Sequence, residues 1–383
     1  MTDKPKTTQE TRSLEQLVQD VEKKKLYLPE FQRDFTWPED KSITLFDSLF
    51  RNLFIGSLII SKPKFSLACK HFDFRKRGSS ARRPPIEEIT AEDFDTKEIY
   101  TLLDGQQRTT SLCRALRGDD DIYVIFKDIS ELESSDYYSK EKGPKHDDIM
   151  MYIEGFEKRE PKNRGRFYMK ISDFYHGGNH KSEKKIQEEF VQPLLDSMQI
   201  SSEQKSILSD IAIHAYSLFK TDILKREKLL SVQLIDMDLE SFCLYFERSN
   251  SQGVNLNFTD IITAKVYIKF KLKNAIAQAR QNNTYLDDKK WWVEQVIRYI
   301  NYKDYNEVTK GSILKNIKAD SFQNHWDSST SLLNEVHSYL VNQNWILSTK
   351  EIPYNSMLIP MVAFLENVTG NSFSKASKKQ IDY

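Results

Sequence analysis

The sequence predicts an α+β protein in which a small mixed α/β domain precedes a mainly helical domain. Short apolar runs typical of strands alternate with helical patterns as far as residue 126. Helical spacing then dominates from about residue 182 to 228 and again after residue 258. These two observations favour sheet formation early in the chain and helix packing late in it.

The same patterns predict where the domains begin and end. The first residues are polar, and residues 130–165 are polar and rich in turn formers. We expect the chain to be truncated at its C-terminus. The predicted divisions are a disordered leader over 1–12, a first domain over 13–257 with a polar and helical insertion around 130–228, and a helical domain over 258–383.

The early elements follow from apolar spacing and from capping residues. Leu14, Leu17, Val18 and Val21 recur at helical spacing, and Ser13 is placed to cap that helix. A strand over 26–28 is stopped by Pro29, and Pro38 is suited to the first position of a second helix. Further strands are predicted at 57–61, 99–103, 122–126, 167–171 and 229–235, with a charged loop or hairpin over 62–98 and a helix starting near 258.

Charge and cysteine content exclude several classes of protein. The 383 residues carry 56 Lys and Arg against 56 Asp and Glu, so any contact with nucleic acid is local rather than a whole-surface effect. Cys69, Cys113 and Cys243 lack CxxC spacing, which argues against a disulfide framework and a cysteine-based zinc site. The N-terminus has no apolar signal segment, and no apolar run is long enough to cross a bilayer. We expect a cytoplasmic protein without a membrane partner.

The strongest candidate site is the segment Asp104-Gly105-Gln106-Gln107-Arg108-Thr109, which lies between a predicted strand and a predicted helix. A helix start offers free amides and a positive field to phosphate, and Gly105 allows close approach. Arg108 can grip phosphate oxygens, Asp104 can hold Mg²⁺, and Gln106 or Gln107 can orient a hydrolytic water. The competing interpretation is an ordinary helix cap with polar residues facing solvent.

Two further segments are weaker candidates by themselves. In the first, Gln32 and Arg33 stand beside Phe31, Phe35 and Trp37, which suits either a nucleotide contact or a set of core anchors with an ordinary salt bridge. In the second, a stretch from 247 to 256 contains Asn250 and a glycine, a composition typical of a turn.

Together these three segments resemble the N-terminal domain of GmrSD-type restriction proteins. The shared pattern is P-x-F-Q-R-x-F-x-W, then D-G-Q-Q-R-x-T, then F-x-R-x-N-S-x-G-x-x-L-x-x-x-D, with matching order and spacing over about residues 14–270. The resemblance implies a ParB/sulfiredoxin-like fold that binds and hydrolyses nucleoside triphosphates with Mg²⁺. It also implies a restriction system directed against phage or modified DNA.

The resemblance assigns roles to individual residues. Asp104, Gln106, Gln107 and Arg108 become the catalytic set, and Asp104 also the metal ligand. The residues implied to bind the nucleotide are Gln32, Arg33, Gly105, Thr109 and Asn250. A module that binds nucleotide or modified DNA without turnover, and so regulates a nuclease, remains the alternative.

A nuclease site is not evident in this chain. Relatives often carry an HNH-type nuclease domain, but neither His325 nor His337 has an obvious partner in sequence. We therefore expect the nuclease to be a further domain or a separate subunit. The sequence is compatible with a homo-oligomer and does not determine the oligomeric state. The basic stretch Arg75, Lys76, Arg77, Arg82 and Arg83 is a candidate DNA contact, and a solvated loop is the alternative.

Overall fold

The chain divides into two compact units in a computed structural model. The residues described are 6–78, 84–161, 165–175, 182–249, 258–267, 269–283, 286, 291–342 and 354–367. Unit 1 comprises Met1–Lys62, Cys69–Ile86 and Glu92–Asp236. Unit 2 comprises Pro63–Ala68, Glu87–Ala91 and Met237–Tyr383. The predicted mixed α/β class with a largely helical C-terminal part is confirmed.

The strands form three sheets. Their bounds are β1 Lys6–Ser13, β2 Leu26–Pro29, β3 Leu58–Pro63, β4 Leu67–Lys70, β5 Ile86–Ile89, β6 Tyr100–Asp104, β7 Tyr123–Phe126, β8 Tyr138–Ser139, β9 Gly143–Pro144, β10 Ile153–Glu157, β11 Tyr168–Lys170 and β12 Glu227–Met237. The largest sheet has seven strands in the order β1-β12-β3-β6-β2-β4-β5. A three-stranded sheet has the order β10-β7-β11, and β8 pairs with β9.

The register of the large sheet determines which loops meet at the end of β6. β6 is parallel to β2, with Leu26 opposite Tyr100, and antiparallel to β3, with Ile59 opposite Asp104. The chain that leaves β2 and the chain that enters β3 therefore both lie next to the end of β6.

Helices account for most of the remaining described chain. Their bounds are α1 Leu14–Glu22, α2 Glu39–Phe50, α3 Ala91–Thr96, α4 Gln106–Arg117, α5 Ile129–Leu132, α6 Ile171–Tyr175, α7 Glu183–Ile186, α8 Gln192–Ser197, α9 Ser202–Leu218, α10 Leu239–Ser249, α11 Phe258–Val266, α12 Leu272–Asn282, α13 Trp291–Tyr305, α14 Lys310–Asn316, α15 Ala319–Asn342 and α16 Leu358–Glu366. Short 3₁₀ turns span Ile149–Met151 and Asn355–Met357, and π-helical turns span Gln187–Val191 and Phe219–Lys225. Within the described residues, no helix combines the length and apolar character needed to cross a membrane.

The expectation of a disordered leader is wrong for residues 6–12. They form most of β1, which pairs antiparallel with β12 from Lys6 opposite Ile235 onward. The strand is mostly exposed and polar, so the hydrophobic pattern gave no signal. Its backbone is instead satisfied by β12, and threonines suit a half-exposed strand.

Residues 62–98 were predicted as a charged loop or hairpin, and they contain two adjacent strands of the large sheet, β4 and β5. The helix α3 in the same region was not predicted. Two short pieces of it, Pro63–Ala68 and Glu87–Ala91, belong to unit 2, and the unit boundary near α10 lies between Asp236 and Met237. Membership of unit 2 depends on contacts that are remote in sequence, which local patterns do not encode.

Each unit has its own apolar core. In unit 1 the core residues include Leu14, Val18 and Phe46, and the Ser13 cap of α1 forms a full capping box with Gln16, as predicted in part. Pro38 is the N-cap residue of α2, one position before the predicted place. In unit 2 the core contains Trp292, Phe322 and neighbouring side chains of α13 and α15.

Candidate functional site

The turn between β6 and α4 requires glycine. Gly105 is the N-cap residue of α4 and has φ of +95°, a conformation that strains any residue with a Cβ. A Cβ added there would lie 2.5 Å from Cδ2 of Leu58, which is itself buried. The absence of a Cβ at Gly105 therefore lets the turn pack closely against Leu58.

The first turn of α4 presents unused amides. The first amide with an acceptor in the helix is that of Thr109, which donates to the carbonyl of Gly105 at 2.9 Å. Throughout the described chain, no protein acceptor faces the amides of Gln106, Gln107 and Arg108, and α4 has no side-chain cap. Three free donors at the positive end of a twelve-residue helix form a site suited to an anion.

The two glutamines attach the segment after β2 to the start of α4. Oε1 of Gln107 accepts from the amides of Thr36 and Trp37 at 2.9 and 3.1 Å, and its Nε2 donates to the carbonyl of Asp34 at 3.1 Å. Nε2 of Gln106 donates to the carbonyl of Arg33 at 2.6 Å. Gln107 is buried, and its amide group is committed to the loop rather than to solvent.

Gln32 connects the same segment to β6. Its Nε2 donates to the carbonyls of Leu102 and Leu103 at 2.9 and 3.0 Å. Its Oε1 is buried and has no hydrogen-bond partner in the described part of the chain. Gln32 therefore fixes the loop but leaves one acceptor unused.

Arg108 holds the segment before β3. Its Nη1 donates to the carbonyl of Ile55 at 2.8 Å, and its Nη2 donates to the carbonyl of Ser57 at 2.9 Å. Nη2 also lies 3.3 Å from Oδ2 of Asp104. A Cβ on Gly56 would collide with this guanidinium, so the glycine makes room for it.

Arg33 and Asp104 present charge at the edge of this arrangement. Arg33 is exposed, and its guanidinium has no ion pair or hydrogen bond among the residues described. The side chain of Asp104 is 61% exposed, although it is paired with Arg108. The structure thus brings an available cation and an accessible carboxylate to the segments around the start of α4.

The sequence matches the family described as GmrSD restriction endonuclease, N-terminal domain, over residues 14–267. The chain belongs to this family. The matched range includes the whole of the β6–α4 turn and both loops attached to it.

This GmrSD-type domain also has an archaeal relative. It is 26% identical to an uncharacterized protein of Methanocaldococcus jannaschii over 302 residues, or 72% of this chain. The chain spans 44% of that relative's length.

One of the other residues implied to bind the nucleotide, Thr109, does not lie at the surface. Thr109 is fully buried, and its hydroxyl has no hydrogen-bond partner in the described structure. It lies on the core side of α4, so its side chain is not accessible to a surface ligand. Asn250 lies outside the described residues.

Part of the basic stretch in this GmrSD-type domain is used within the protein. Nε and Nη2 of Arg75 donate to Asp73 at 2.9 and 2.6 Å. Arg77 makes two hydrogen bonds to Asp120, at 3.0 and 2.8 Å. Lys76 is exposed, while Arg82 and Arg83 lie outside the described residues.

Sequence reasoning missed a buried ion-pair network next to the loop that follows β2. Arg114, 1% exposed, donates to both oxygens of Asp120 at 2.8 and 2.7 Å. Burial alone would raise the pKa of Asp120, but hydrogen bonds from Arg114 and Arg77 outweigh it and hold the pKa below its ordinary value. The guanidinium carbons of Arg77 and Arg114 also lie 5.0 and 5.4 Å from the ring centroid of Phe35. The network therefore packs against Phe35 in the loop after β2. The one signal in the sequence was an arginine at a position of α4 that faces the core, Arg114.

Among the residues that the structure describes, no group of three His, Cys, Asp or Glu side chains could hold a metal ion. Mg²⁺ commonly binds through one or two carboxylates together with substrate phosphates and water. Asp104 fits that limited role, since it is exposed and lies two residues before the first free amide, that of Gln106. His325 contacts Asp304 at 3.0 Å, and among the described residues this contact is not part of a metal-binding group.

Proposed function

We propose that this chain binds a nucleoside triphosphate at the start of α4 and hydrolyses it as part of a phage-defence restriction system. The observation that carries the proposal is the set of three backbone amides after Gly105 that have no acceptor among the described residues. Phosphate groups bind at such helix starts because the donors and the helix dipole both favour negative charge.

The surrounding side chains then divide into two groups. Arg33 is the cation available to phosphate oxygens, since its guanidinium is exposed and without a partner in the described structure. Gln107 and Arg108 act as positioning residues, because their polar atoms hold the loops at 34–37 and 55–57. The role proposed for Gln107 thus changes from orienting a water to building the pocket wall.

Asp104 is the residue that would hold Mg²⁺ in this arrangement. Mg²⁺ held there would offset negative charge on the phosphate oxygens while water attacks the terminal phosphorus and the nucleoside diphosphate leaves. The carboxylate of Asp104 also lies 3.3 Å from Arg108, which keeps it near the start of the helix. Gln106, whose side chain carries a single hydrogen bond to Arg33, remains the candidate for contact with the attacking water.

A second candidate is nucleotide binding without turnover. One observation favours it: the side-chain amide of Gln107 is fully engaged with Asp34, Thr36 and Trp37, and so is not available to orient a water. The bound nucleotide would then act as a signal to a nuclease domain or subunit, with phage or modified DNA as the second ligand.

The test measures nucleotide binding by calorimetry and phosphate release for four nucleoside triphosphates, with and without DNA. Arg33→Gln should weaken binding at least about tenfold, because a charge-assisted contact is lost. The matched control is Arg226→Gln, which removes an exposed arginine next to β12. Binding with release supports hydrolysis, binding without release supports the second candidate, and equal binding by both variants would overturn the site.

A further inference from the structure

Unit 2 contains a cavity of about 330 Å³ that the proposed nucleotide site does not use. Three lysines line it: Lys265 from α11, Lys269, and Lys318 from the segment before α15. Apolar side chains, including Phe65 and Ile317, form other parts of the wall. Its volume falls within the roughly 300–1,000 Å³ typical of small-molecule sites.

Lys265 is the unusual member of this wall. Its Nζ donates to the carbonyl of Leu314 at 2.7 Å, and no carboxylate lies within ion-pair distance of it among the described residues. Burial, assisted by the charge of Lys318, lowers the pKa of Lys265 to about 8. A half-buried ammonium with a single neutral acceptor is costly unless an anion completes its surroundings.

The aromatic side chain in the cavity wall indicates which kind of anionic ligand fits. Phe65 is anchored edge-on against Phe242, with ring centroids 5.2 Å apart. A rigid ring beside apolar surface suits a planar heterocycle, whereas lysines suit a phosphate as point charges. The acidic members Glu88 and Asp320 stand among the lining residues, and Asp320 lies 3.8 Å from Lys269.

We propose that this cavity is a second ligand site, which binds the phosphate of a nucleotide at Lys265 and its base against Phe65. The nucleotide can be free or part of a DNA strand, since both present the same phosphate and base. The proposal is independent of the site at α4, because every residue that lines the cavity belongs to unit 2.

The experiment titrates the full chain with inorganic phosphate, deoxyadenosine monophosphate and a short single-stranded deoxyoligonucleotide. Titrations use the Arg33→Gln background, which separates this cavity from the α4 site. Lys265→Met should weaken binding of the monophosphate at least tenfold, and Lys318→Gln should weaken it severalfold. Lys315→Gln is the matched control, since Lys315 is an exposed lysine of α14 outside the cavity lining.

The probes separate the two sources of ligand. Tighter binding of the oligonucleotide indicates a strand, and equal or weaker binding indicates a free nucleotide. Both outcomes support the proposal if Lys265→Met lowers the affinity for the ligand that binds. Equal affinity for inorganic phosphate and for the monophosphate would overturn the role of Phe65. Equal affinity in the Lys265→Met and Lys315→Gln proteins, or no binding by any probe, would overturn the site itself.

Binding should also depend on pH through Lys265. The titratable groups around this lysine are Lys269, Lys318, Glu88 and Asp320, which line the same cavity, and the thiol of Cys243. Because the ammonium form predominates below pH 8, the monophosphate should bind well at pH 7 and progressively less above pH 8. A pH profile that is unchanged by Lys265→Met would contradict this assignment.

Discussion

Gln107 and Trp37 are joined by a hydrogen bond of 3.1 Å from the amide of Trp37 to the side-chain oxygen of Gln107, across 70 residues of sequence. The same oxygen accepts from Thr36, and the same side chain donates to Asp34. One buried glutamine thereby replaces the secondary structure that this loop lacks, because it satisfies three backbone groups at once.

Replacing Gln107 with Ala should destabilise unit 1. The change leaves two amides and one carbonyl without their partner, which we expect to cost about 1–3 kcal/mol. Urea unfolding followed by circular dichroism measures the loss. Gln106→Ala is the control, since it removes one hydrogen bond from a less buried side chain, and it should cost clearly less. Equal losses in the two variants would contradict this role of the Gln107 side chain.

Replacing Gly105 with Ala separates backbone strain from crowding. A positive φ at a residue with a Cβ costs about 1–2 kcal/mol, and here the new Cβ would also press on Leu58. Gly143→Ala is the matched control, because Gly143 has φ of +72° with nothing within 4 Å of an added Cβ. Thermal or urea unfolding should show a greater loss for Gly105→Ala, and a smaller loss would contradict the crowding.

Replacing Asp120 with Asn should remove one of the largest single contributions to the stability of unit 1. The change leaves the buried guanidinium of Arg114 uncompensated, which typically costs about 3–5 kcal/mol. Asp119→Asn is the adjacent control, because Asp119 pairs with the more exposed Arg117 and such a pair contributes about 0–1 kcal/mol. Free energies of unfolding that are alike for the two variants would refute the network.

The ion pair of Asp120 and Arg114 also predicts that the free energy of unfolding depends on acidic pH. Because the pKa of Asp120 is lowered in the folded state, its contribution is complete above the ordinary pKa of the carboxyl. The contribution declines as the pH falls below that value, since the unfolded state then binds more protons. Unfolding measured from pH 6 to 3 should show a steeper decline for the wild type than for Asp120→Asn.

Replacing Lys265 with Met should stabilise unit 2 near neutral pH. Below pH 8 both states carry the ammonium, and the folded state bears the cost of burying it. Between about pH 8 and the ordinary lysine value near 10.4, the unfolded state binds more protons, so the wild type gains stability as the pH rises. We expect an advantage of about 1–3 kcal/mol for Lys265→Met at pH 7 that shrinks by pH 10. Lys315→Met should show no such trend, and a less stable Lys265→Met protein at pH 7 would count against the prediction.

Local patterns predicted much of the fold because they reflect interactions between near neighbours. The Ser13 cap with Gln16, the helical spacing after it, and the glycine turn before α4 all depend on residues within four positions. The same reasoning located the candidate site at 104–109. It could not locate β1, whose polar residues reveal little and whose partner strand lies more than 200 residues away.

Tertiary structure decided what the polar side chains of the site do. The sequence by itself determined that Gln107 and Arg108 lie at the start of a helix. From the sequence alone, both side chains could contact a ligand. Only the placement of the 34–37 and 55–57 loops beside α4 gave these side chains backbone partners. Likewise, only the packing of α4 paired Arg114 with Asp120 and Arg77. The physical reason is that a hydrogen bond depends on which groups the fold brings within about 3 Å, and distance along the chain does not set that separation.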